Sequence, residues 1–120
     1  MNLNIQIAKK YYHSMSEKNV DKMLECLSQN AILKSPLGIT SGKNAIKESI
    51  IHFIKVVKNV EIKNVFGNDG KVVLNLDFSC EKPFGDFPSI VVMSFDDQNK
   101  ISHSELFYDT TPFKSGEFDV

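Results

Sequence analysis

The segment KVVLNLDFSCEK, Lys71 to Lys82, alternates without a break. Val72, Leu74, Leu76, Phe78 and Cys80 fall on one side of an extended chain, and Asn75, Asp77, Ser79 and Glu81 on the other, because successive side chains of a strand point to opposite faces. A strand apolar on one face and polar on the other belongs to a sheet with one covered face, the habit of antiparallel sheets. Just before it stands Asn68-Asp69-Gly70, and Asp-Gly is a strong hairpin-turn signal. A partner strand is therefore predicted from Val60 to Phe66. Downstream, Pro83 to Pro88 reads as a longer connection, and Ser89 to Phe95 as a nearly continuous apolar strand with both faces covered. Asp96 to Asn99 reads as a turn, and Ile101 to Asp109 as the last strand.

Upstream of Lys58 the period is 3.6 instead of 2. Ile7, Ala8, Tyr11, Tyr12 and Met15 trace one face of an amphipathic helix. Asn19 is a plausible N-cap for a second helix with the stripe Val20, Met23, Leu24 and Leu27. Ala31 to Lys34 suits a short strand. Pro36 holds Ser35 extended and Gly38 permits a turn. Ser41 is placed to cap a third helix, whose stripe is Ile46, Ile50, Phe53 and Val57. The expected helices are 4–17, 20–27 and 43–57. Three helices followed by hairpin-linked strands give an α+β fold, with the helices on one face of a curved antiparallel sheet.

With 120 residues the chain suits one domain, burying roughly 65% of its unfolded surface. The expected domain is 1–113, with a loose tail over 114–120, where Ser115 and Gly116 interrupt any period. Net charge is -1 and all 14 cationic residues are Lys. Without Arg, the usual bidentate clamp for phosphate, nucleic acid is not an expected partner. No apolar run approaches the ~20 residues of a spanning helix, and the start MNLNIQIAKKYYHS lacks the pattern of a signal peptide, so no membrane partner and a cytoplasmic location are expected. Cys26 and Cys80 lack metal-ligand spacing and read as buried thiols in a reducing compartment. No metal and no cofactor are expected.

The order of elements, together with AKKYYHSMSEKNVDKMLECLSQNAILKSPLG, SGKNAIKESI and IVVMSFDDQNKISHSELFYD, resembles the nuclear transport factor 2-like superfamily. That superfamily includes ketosteroid isomerases and SnoaL-type polyketide cyclases. The resemblance runs from about Ile7 to Asp109. It implies a cone in which the helices and the concave sheet face enclose an apolar pocket, with a homodimer made through the opposite face. In the isomerases an Asp base works with an oxyanion hole of a Tyr and a protonated Asp. By the resemblance, the base position before Pro-x-Gly is Ser35, the Tyr matches Tyr11, and the second Asp is replaced by Val91. A hydroxyl cannot shuttle a proton as a carboxylate does, and loss of a general base costs about 10² to 10⁴ in rate. Steroid isomerisation by that route is therefore not expected.

The resemblance also implies a ligand pocket lined by Tyr11, Met15, Ile50, Phe78, Val91, Met93, Ser104, Leu106 and Tyr108, with Ser35 at its edge. Against this, Tyr11 could be a core tyrosine, and Ser35 a strand-end residue bonding its own backbone. His103, Glu105, Phe107 and Asp109 fall on the outer sheet face, where His103 and Glu105 are neighbours; a one-residue slip of register would bring that pair inside. Other members, such as dehydratases and dehalogenases, use cavity His-Asp pairs, and none can be placed here. His13 and His52 lie about 200° round their helices from buried residues two positions earlier, so both are expected in solvent. Asp96-Asp97 lacks Ca²⁺-loop spacing. Three functions stay open: a binding module for a small apolar ligand, with Tyr11, Ser35, Ser104 and Tyr108 as polar contacts; an isomerase, cyclase or lyase acting on a small cyclic or polyketide-like molecule through a different residue set; and an interaction protein working through its dimer face.

Overall fold

A computed structural model describes residues 3–68 and 70–111. Its elements run α1 (Leu3–Ser16), α2 (Val20–Glu25), β1 (Leu27–Ser35), β2 (Gly38–Ser41), α3 (Lys43–Phe53), β3 (Val57–Gly67), β4 (Lys71–Cys80), β5 (Asp86–Phe95) and β6 (Ile101–Phe107). One six-stranded sheet has the order β2-β1-β6-β5-β4-β3. The architecture is α+β with a curved sheet, as the change of period predicts. It is mixed, not wholly antiparallel, because β1 pairs with β6 in parallel. Sequence alternation constrains a hairpin but says nothing of which distant strand a segment such as β1 will meet.

The same pairing explains the revised boundaries. Leu27 leaves the second helix to join β1 opposite Ile101, so the predicted short strand at Ala31–Lys34 becomes nine residues long. The third helix stops at Phe53 instead of 57, because Val57 pairs with Cys80 and the Val56 carbonyl accepts the Glu81 amide at 2.7 Å. Asn19 caps α2 as expected, its Oδ1 accepting the Lys22 amide at 3.0 Å. Ser41 does not cap α3: it ends β2 opposite Ile32, and the cap is Gly42 at φ 92°, without a side-chain bond. At the 68–70 hairpin, Asn68 Oδ1 accepts the amides of Gly70 and Lys71. Asp69 and the expected 114–120 tail lie outside the described residues.

The core sits between α1 and the inner sheet face. Val72, Leu74, Leu76 and Phe78 are all at most 1% exposed, packed with Ala8, Tyr12, Met23, Val91, Met93 and Ile101. Register shifts in β3, between Val57 and Asn59 and between Ile62 and Asn64, mark irregularities of the kind that bend a strand. α1 packs over β3, whereas α3 packs on β1 and β2. The two helices thus cover opposite ends of the strand order.

Candidate functional site

A cavity of about 600 Å³ opens where α3, the β1–β2 hairpin and the β4–β5 connection meet. Tyr11, Tyr12 and Met15 of α1 form part of its wall. The 3.6-residue period that buries this stripe also aims it at the inner face of the sheet. Ser49, Ile50, His52, Phe53 and, just beyond the helix, Val56 form the α3 side. Leu33 and Ser35 come from β1, and Ile39 and Thr40 from β2. Phe78, Phe84, Phe87, Leu106 and Tyr108 complete it.

Aromatic rings dominate that wall. Phe78 stacks on Phe87 at 5.1 Å, Phe87 tilts against Tyr108 at 5.3 Å, and Phe53 meets Phe78 edge-on at 5.8 Å. Tyr12 meets Phe78 edge-on at 6.1 Å and Tyr11 at 5.0 Å. Such contacts prefer offset or T-shaped geometry and fix the rings. At the mouth, Leu37 and Ile39 are 68% and 64% exposed. The described lining residues include no carboxylate and no lysine. Burial drives the phenols of Tyr11 and Tyr12 well above their ordinary range, and it raises the Tyr108 phenol too, with Ser35 opposing the shift. All three therefore stay protonated as hydrogen-bonding groups at neutral pH.

Ser35 bonds its own backbone and also borders the cavity. Its Oγ accepts the Leu37 amide at 3.2 Å, closing the Pro36 turn, and the same side chain lies on the cavity wall beside Tyr108. Seven of the residues expected in the pocket come together there: Tyr11, Met15, Ser35, Ile50, Phe78, Leu106 and Tyr108. Val91, Met93 and Ser104 do not. They are at most 3% exposed and belong to the packed interior. The alternation does turn them inward, but Val91 faces Leu74, and Met93 faces Val72 and Ser104, in the stretch of sheet that core side chains fill. The Ser104 hydroxyl makes no hydrogen bond of ordinary geometry, although it lies close enough to Tyr12 to ease that phenol's ionisation slightly. An Asp at position 91 would be a carboxylate buried in the core, so that position offers no cavity group to replace.

His52 lines the cavity without having been expected there. It is exposed, as expected, yet it lies on the cavity wall. The cavity reaches beyond the buried stripe at Ile50 to the flank of α3 that carries Ser49 and His52. His13 stays on the outer surface of α1, in an open groove with Lys9, Lys10 and Lys22. His103 and Glu105 stay on the outer face, Glu105 paired with Lys34 at 3.6 Å. Among the described residues no group of three or more His, Cys, Asp or Glu is placed to hold a metal, and no helix is long and apolar enough to cross a membrane.

The family of SnoaL-like domains matches residues 8–103. The chain belongs to that family. Solved structures similar to this SnoaL-like chain agree on the fold. A nuclear transport factor 2-like protein of unknown function from Cytophaga hutchinsonii ATCC 33406 superposes with TM-score 0.83 at 12% identity, over 94% of this chain and 96% of that one. The epoxide hydrolase/cyclase-like enzyme SalBIII, of pyran ring formation in the polyether salinomycin, gives 0.80 at 19%, over 91% and 92%. A candidate ketosteroid isomerase from Kribbella flavida DSM 17836 gives 0.78 at 9%, over 88% and 77%. Comparison with curated proteins finds no match.

Proposed function

We propose that this SnoaL-like protein binds a small, largely apolar molecule carrying one or two oxygen atoms. The observation that carries the reading is the aromatic cavity of about 600 Å³ whose described walls supply hydroxyls but no carboxylate or lysine. Burial supplies the affinity at about 25 cal/mol per Å² of apolar surface. Ser35, Tyr11 and Tyr108 orient the oxygens. After the cost of association, a two-ring molecule should bind with a Kd on the order of 10–1000 µM.

Calorimetric titration with 2-naphthylmethanol tests this: saturable one-to-one binding that weakens in Phe87→Ala supports it, and no heat beyond dilution at millimolar probe contradicts it. A second reading, an isomerase, cyclase or lyase acting on a cyclic or polyketide-like molecule, is favoured by the structural likeness to the cyclase-like enzyme and the candidate isomerase.

The protein works as a homodimer through the outer sheet face. That face exposes Phe107, Ile90 and Ile32 at 48%, 37% and 37%, with Phe107 and Ile90 directly paired across β5 and β6 and His103 and Glu105 beside them. A monomeric mass by light scattering at high concentration contradicts this. The location is cytoplasmic, in keeping with two buried free thiols.

A further inference from the structure

The apolar walls leave open how the cavity tells one oxygenated molecule from another. The α3 and β2 side offers an answer. His52 and Ser49 both line the cavity, and three residues apart on a helix they share a face. Thr40 of β2, one of the two strands on which α3 packs, lines the cavity as well. Apart from the three tyrosine phenols, which burial keeps protonated, His52 is the ionisable side chain among the described lining residues. An imidazole donates an N–H when neutral and two when charged. Its N–H suits an anionic oxygen, and the charged form, with two donors and no acceptor, suits it best.

Resting on the apolar-pocket reading above, we infer that the cavity mouth recognises an acidic oxygen of the ligand, a carboxylate or an ionised enol or phenol. His52 is its donor, with Ser49 and Thr40 as neighbouring hydroxyls. The ligand's apolar body lies against Phe78 and Phe87 while its acidic group stays at the wetter end. A charge therefore enters the site without full desolvation, which would otherwise oppose binding. Because His52 is exposed, the preference is screened by water and modest, about fivefold.

The test compares 2-naphthoate with 2-naphthylmethanol, two probes of one shape that differ in charge, on the full chain and on its His52→Leu and His52→Lys variants. The exposed site keeps both variants folded, which circular dichroism verifies. The wild-type preference for naphthoate should fall about fivefold in His52→Leu and persist in His52→Lys, with naphthylmethanol affinity altered by less than about twofold in either. An unchanged preference in His52→Leu overturns the inference while leaving the pocket reading intact. Equal weakening of both probes also overturns it, by making His52 a contributor to shape only. Binding of neither probe to the wild type overturns the inference and the pocket reading together.

Discussion

Phe87 stands directly opposite Phe78 across the β4–β5 ladder, and their rings stack with centroids 5.1 Å apart and planes at 21°. The pair joins the packed core to the cavity, since Phe78 is 1% exposed while Phe87 is only partly buried. Replacing Phe87 by Ala removes one side of the stack and widens the cavity. The expected cost is about 2 kcal/mol, less than for a fully buried Phe. Urea denaturation should show it as a lowered midpoint at unchanged slope.

Leu76 tests the inner sheet face more severely. It is 0% exposed and flanked in register by Ile62 and Ser89. Leu76→Ala should cost about 2–5 kcal/mol. Val73, on the opposite face of the same strand and only partly buried, should cost under about 1 kcal/mol when changed to Ala. Equal losses from the two would show that the faces are not distinguished as described.

Ser16 fastens the end of α1 to β3. Its Oγ accepts the Val60 amide at 2.9 Å and donates to the Val60 carbonyl at 3.2 Å. The side chain thereby serves both main-chain groups of one strand residue. Ser16→Ala leaves these part-buried groups without that partner and should cost about 1–2 kcal/mol. Faster hydrogen exchange at Val60, read by NMR, would locate the effect.

Alkaline pH should destabilise the fold. Burial pushes the Cys80 thiol up to about 11, and the phenols of Tyr11 and Tyr12 are raised by the same cause. Each acid is harder to ionise folded than unfolded, so the unfolded chain loses its proton first and stability falls as pH rises. The thiol's contribution is full below its unfolded pKa of about 8.5 and disappears as pH passes 11. Thermal melts at successive pH values should show a falling Tm across that window, with a shallower fall in Cys80→Ala.

The hairpin strands and the three helices were legible because each carries its own period, in the clean alternation from Val72 to Cys80 and the stripe from Ile7 to Met15. The non-local contacts were not. The parallel β1–β6 pair leaves no local signature, so Leu27 read as helical and the sheet as wholly antiparallel. The site shows the same division. Inward direction was readable for Tyr11, Ile50, Phe78, Leu106 and Tyr108, all of which reach the cavity. Direction does not say how far the core fills the cone, so Val91, Met93 and Ser104 pointed inward into packed side chains. Phe84 comes from the β4–β5 connection and the β2 residues from a short strand, each with too little pattern to assign a face, and Phe87 opens β5 in a Pro- and Gly-flanked stretch that reads from sequence as part of that connection. His52 was legible only as a residue off the buried stripe, because a cavity wall reaching past that stripe exists only once α3 and β2 are packed.

The central claim, that the aromatic cavity is a ligand site, is tested most directly by methyl-labelled methionine. The sequence has four Met. Met15 lines the cavity, whereas Met23 and Met93 are fully buried away from it. In a carbon–proton NMR titration with 2-naphthylmethanol, the Met15 methyl should shift strongly and saturably, because aromatic ring currents act over a few ångströms, while the Met23 and Met93 methyls move little. A Met15 signal that stays fixed up to millimolar probe, or that moves no more than those of Met23 and Met93, would contradict the account.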